Sequence, residues 1–143
     1  MNFMEELTGR LVVVHPQLTI DPFFRQGQIG VIAMADLKTD TISVGFGGGP
    51  LGKYSTDALF VLKDKNELYL DIMTGVKDMD IETFKDLLDI NMKQEYSDYG
   101  HTAAALELAL ENPKVMKRSM ISLEEHISRS QSIEIGDDAS IER

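Results

Sequence analysis

Residues 44–55 read VGFGGGPLGKYS, and the reading of this stretch decides the fold. From Gly47 to Tyr54 it nearly spells a phosphate-binding loop: Gly47, four residues, then Gly52 and Lys53, with only the following Ser or Thr missing. Such a loop requires a helix beginning at Gly52-Lys53, so that phosphate sits on free backbone amides, and a hydroxyl to hold magnesium. Tyr54 occupies the hydroxyl position, and the continuation Tyr-Ser-Thr-Asp-Ala-Leu-Phe-Val-Leu is too short and too β-prone for that helix. Strands alternating with helices, which a nucleotide-binding α/β fold needs, are also missing. Gly47-Gly48-Gly49-Pro50 is instead a hairpin turn: the glycines supply positive φ and the proline fixes the exit.

Outward from this turn the chain alternates and punctuates often. Thr41 to Phe46 has period two, with Ile42, Val44 and Phe46 on one face and Thr41, Ser43 and Gly45 on the other. Leu51 to Ser55 is its partner, and Asp36 to Asp40 is a polar hairpin loop leading back to a strand over Gln28 to Ala35. Arg10 to His15 is a β-branched run ended by Pro16, and a long connection runs from Gln17 to Gln26. Ala58 to Leu62 is a fifth short strand. Five short strands with hairpin links predict a small barrel.

After residue 63 the period changes to 3.6. Asp64-x-x-Glu67 has the form of a capping box before a helix ending near Gly75. Asp80 caps the next, where Ile81, Phe84, Leu87, Leu88 and Met92 form an apolar stripe. His101 to Glu111 is a third helix with Ala103, Leu106, Ala109 and Leu110 inward, stopped by Asn112-Pro113. Ser122-x-x-Glu125 caps a short last helix, and residues 131–143 read as a loose tail in which Ile133 and Ile135 suit an edge strand. The expected class is therefore α+β: a five-stranded barrel over 1–63, three or four packed helices over 64–130, then the tail.

Composition narrows the function. Of 14 Lys/Arg and 24 Asp/Glu, six and seven lie at or before Lys65, so the first 65 residues carry −1 and the remainder −9. The acidic second half repels nucleic acid and anionic lipid. The chain has no cysteine, which excludes thiol chemistry and Cys-type zinc. Met1 to Glu6 carries acids where a secretory leader is basic, and no apolar run reaches membrane-spanning length, so a cytoplasmic location away from membranes is expected. His15, His101 and His126 lie in three different elements without ligand spacing, and Asp78, Asp80, Asp86 and Asp89 lack the calcium-loop pattern. Neither a cofactor nor a catalytic residue is indicated, and the expectation is a non-enzyme. Five of the eight methionines (Met73, Met79, Met92, Met116, Met120) fall in the helical half, as core filler or as an adaptable contact surface.

Gly27-x-x-Gly30-Val31-Ile32, Ile42-x-Val44-x-Phe46 and Gly52-x-Tyr54-x-x-Asp57-x-Leu59 together resemble the SH3-like small barrels of KOW and Tudor type, over residues 9–62. As a whole the chain resembles a bacterial family, a likeness that implies no activity. The barrel resemblance implies an aromatic surface on the long first loop and the turns beside it, for peptides or methylated side chains, here Phe23, Phe24 and Tyr54. Phe46 and Phe60 are expected in the core. The expected function is protein interaction or regulation, with another protein or a second copy as partner. The KOW likeness implies an alternative, a ribonucleoprotein-associated factor working through Arg10, Arg25, Lys38 and Lys53.

Overall fold

Leu11–Val14 (β1) consists of four apolar residues in a row, three of them β-branched. Such a run has no polar side to turn to water, so both its faces must be covered. In the computed structural model, which describes residues 7–130, they are. Val12 and Val14 point into one core, and Leu11 and Val13 into another on the opposite side of the sheet.

Around β1 six antiparallel strands form one open sheet. The others are β2 (Ile29–Asp36), β3 (Thr41–Gly45), β4 (Gly52–Tyr54), β5 (Leu59–Leu62) and β6 (Met120–Ser122), in the spatial order β4-β3-β2-β1-β5-β6. A short 3-10 turn, Thr56–Ala58, links β4 to β5. In the glycine run, Gly47, Gly48 and Gly49 take φ of 90°, 120° and 87° between two paired strands, and Gly52 enters a strand. No helix begins there, so no phosphate-binding loop exists. Gly30 has a different necessity, since a Cβ at its position would lie 2.4 Å from Val44 Cγ1. A bulge between Ile32 and Met34 shifts the β2–β3 register, an irregularity that bends a strand locally.

The helices are α1 (Lys65–Gly75), α2 (Ile81–Lys93), α3 (Tyr99–Leu110), α4 (Pro113–Ser119) and α5, residues 123–130. The first four cover one face of the sheet. Leu68 and Ile72, Leu87 and Ile90, Leu106 and Ala109, and Val115 meet Leu11, Val13, Leu62 and Met120. On the other face Leu123 and Ile127 of α5 join Val12, Val14, Ile32, Ile42, Val44 and Leu59. The second half of the chain thus supplies both a strand and part of the core to the sheet built by the first.

Several expectations change. Among the described residues the sheet has six strands and stays open, because β6, unassigned in the sequence, pairs with β5 at Leu62↔Met120 and Phe60↔Ser122. Pro113 begins a helix as well as stopping one: it sits at the first helical position of α4, where its missing N–H costs nothing, and Asn112 caps it. Asp64 flanks α1 without accepting a capping bond, whereas Asp80 accepts from Thr83 N–H at 2.7 Å and Ser122 Oγ from Glu125 N–H at 3.1 Å. On α2 the buried stripe is Thr83, Leu87 and Ile90; Ile81 and Met92 are exposed. On α3 Ala105, Leu106 and Ala109 are buried, while Ala103 and Leu110 are half-buried. Residues 131–143, with Ile133 and Ile135, lie outside the described residues, as do residues 1–6.

Candidate functional site

The β1–β2 connection holds the sequence-predicted aromatics, and its shape is set by one side chain, Asp21. Asp21 is 5% exposed. Its carboxylate accepts hydrogen bonds from Phe23 N–H and Arg25 N–H, each at 2.8 Å, and from the Tyr54 hydroxyl at 3.1 Å. Phe24 N–H donates to the Asp21 carbonyl at 3.1 Å. An aspartate that gathers the amides of the residues after it is a turn former, and here it also ties the turn to β4. Both ends of the connection are fixed to the sheet: Val14 N–H donates to the Gln28 carbonyl and Gly27 N–H to the Val14 carbonyl.

The three predicted aromatics then take different roles. Tyr54 is 6% exposed, so its ring is a support beneath the connection and not a contact surface. Burial, and after it the bond to Asp21, pushes the Tyr54 hydroxyl well above the ordinary tyrosine value. Phe23 is half-buried, packed on the first core with its ring centroid 5.8 Å from that of Tyr54. Phe46 meets Tyr54 edge-on at 6.4 Å, and the Arg25 guanidinium lies 4.9 Å over the Phe46 ring. Phe46 and Phe60 are half-buried against the two cores, Phe60 beside the His15 ring.

Phe24 is displayed. It is 81% exposed, and its φ is 54°, in the left-handed region that a bulky side chain avoids. Ile20, on the same connection, is 82% exposed. The sequence reading gave Phe24 a site role but gave none to Ile20 or Asp21. The available signal was Asp21-Pro22 before two aromatics, a turn-forming pair that fixes the course of the next residues.

The four basic residues of the alternative stand apart. Arg25 precedes β2 and Lys38 comes after it, separated by an eight-residue strand of roughly 25 Å. Lys53 is exposed on the edge strand β4 opposite Ser43, and Arg10 lines a cavity between β1 and the helices. Arg25 is engaged with Phe46 and with Gln28 Oε1 at 3.1 Å.

A second apolar surface lies on α1, where Tyr69, Leu70 and Met73 are exposed while Leu68 and Ile72 are buried, and the exposed Val76 follows directly after the helix. Among the methionines, Met120 is buried, Met79 and Met116 pack against the helical core, and Met73 and Met92 face solvent. Asp80 is a helix cap, and among the described residues no group of three or more acidic or His side chains is placed to hold a metal ion. Nor is any described helix long and apolar enough to cross a membrane. No family model matches the chain, and no curated protein and no solved structure compared with it matches either.

Proposed function

We propose that the protein is a non-enzymatic interaction module that binds another protein through the apolar surface of its β1–β2 connection. The observation that carries this reading is Phe24, exposed on strained backbone. Backbone bonds from residues 23, 24 and 25 to one buried aspartate hold a bulky residue in a left-handed conformation, and the ring gains little burial in return. Strain maintained by its surroundings at an exposed residue points to contact with something outside the chain. Ile20 extends the apolar surface. The acidic second half favours a partner with basic residues around its apolar contact.

The strand order supports the SH3-like reading of residues 9–62. β1 pairs with both β2 and β5, a 3-10 turn precedes β5, and β6 is then an addition at the β5 edge. In such barrels the long first loop lines the peptide groove, and that loop is where Phe24 sits. The ribonucleoprotein alternative lacks a comparable observation, because its four cations lie on separate elements.

The test is affinity capture of the tagged chain from native lysate, with and without nuclease and across a salt series. A protein partner retained after nuclease and at high salt is the expected result, because apolar contacts respond weakly to salt while phosphate contacts weaken steeply. Partners that all disappear with nuclease contradict the reading and favour the alternative.

A further inference from the structure

Arg10 precedes β1 and is half-buried, and among the described residues its guanidinium has no hydrogen-bonded or ion-paired partner. A guanidinium keeps its charge and five N–H donors, so withdrawing it from water without an acceptor is costly. Asp64 is near enough to raise the Arg10 pKa but forms no ion pair with it, and burial outweighs it, drawing the value below the ordinary one. His126 faces the same charge and is itself held below its ordinary value, by burial first and by Arg10 second.

Arg10 lines a cavity of about 440 Å³ between β1, the end of β5, α2 and α3, a volume in the range of small-molecule sites. Leu11, Leu62 and Leu106 give it an apolar floor, and the exposed Tyr96 and Tyr99 stand at its rim. Three lysines also line it, but each is taken: Lys63 by Asp71 at 2.6 Å, Lys65 by Glu95 at 3.2 Å and Lys93 by Asp89 at 2.6 Å. The lining Asp98 is bonded to His101 at 2.6 Å, whose ring stacks on Tyr96. Among the described residues, Arg10 is the lining cation that has no ion pair; Asp64 lines the same cavity and acts on Arg10 only at longer range.

We propose that this cavity binds a small amphiphilic carboxylate, its two oxygens on the Arg10 guanidinium and its aromatic or aliphatic body between the leucine floor and the tyrosines. A planar guanidinium fork matches a carboxylate in two parallel bonds. A phosphate dianion would need a second free cation, and the neighbouring lysines are engaged. The site shares no residue with the Phe24 surface, so either proposal stands if the other fails.

The experiment is calorimetric titration of the full chain with 2-naphthoate, and with its neutral counterpart 2-naphthamide, on the wild type, Arg10→Gln and Phe24→Ala. The wild type is expected to bind the acid at least about tenfold more tightly than the amide, and Arg10→Gln to lose about the same factor. Phe24→Ala should bind as the wild type does. Arg10→Gln should also melt no lower than the wild type, since the charge it removes has no ion pair among the described residues and its burial outweighs the pull of Asp64. The proposal is overturned if the wild type binds acid and amide alike, if it binds neither, or if Arg10→Gln binds the acid undiminished. Should Arg10→Gln not fold, the comparison of acid with amide on the wild type decides.

Discussion

Phe24 is the residue at which local preference and observed conformation disagree most. A left-handed backbone costs an L-residue other than glycine roughly 1–2 kcal/mol, and an exposed ring returns little of it. Phe24→Ala should therefore lie within about 0.5 kcal/mol of the wild type in urea unfolding, as surface changes do. Phe24→Gly should be about 1 kcal/mol more stable than Phe24→Ala, because glycine accepts positive φ. A loss of several kcal/mol in Phe24→Ala would instead make the ring part of the core. Tyr54 gives a pH prediction. Its hydroxyl is held above its ordinary value by burial and by Asp21, whereas in the unfolded chain it titrates near pH ~10. Its contribution is thus complete below that pH and is lost as pH rises past it, while the unfolded state gives up its proton. Melting temperature should fall more steeply from roughly pH 9 to 11 in the wild type than in Tyr54→Phe, and parallel curves would contradict this. The residue scale was the least legible in the sequence. Adjacent Phe23 and Phe24 look alike as letters, and only the turn made by Asp21 sends one ring inward and the other out.

Elements were far more legible, for a physical reason. Strands β1 to β5 have ends written in local chemistry: Pro16, the Asp36–Asp40 loop and the glycine run each stop a ladder where the structure stops it. β6 is three residues between two helices, and its pairing with β5 spans nearly sixty residues of chain, so no local pattern announces it. α4 was hidden by Pro113, which reads equally as the end of one helix and the first residue of another. The α2 stripe was misplaced by a fraction of a turn, since neighbours on two sides of that helix choose Ile90 over Met92. The weight of β6 can be measured. Ile121 is buried in the first core, and Ile121→Ala should cost about 2–4 kcal/mol in denaturant unfolding. A cost below about 0.5 kcal/mol would mean that the sheet is complete without its sixth strand.

At the scale of the whole molecule, the helices answer a question the sequence left open, namely which side of the sheet they cover. Helices α1 to α4 cover the face of Leu11, Val13 and Leu62 and α5 part of the other, while the long β1–β2 connection keeps Ile20 and Phe24 in solvent. The change in period near residue 63 made the α+β class readable; the return of β6 and α5 to the sheet was not, because it depends on contacts distant in sequence. If the Ile20 and Phe24 surface serves binding and not folding, one double variant, Ile20→Ser with Phe24→Gly, should separate the two. Its melting temperature is measured, together with its retention of the nuclease-resistant partner beside a Leu70→Ser, Met73→Ser control on α1. The expected result is a melting temperature within about 3 °C of the wild type, with capture reduced at least about tenfold in the loop variant and unchanged in the control. Undiminished capture by the loop variant, or loss only in the α1 control, would contradict a binding role for Phe24 and Ile20.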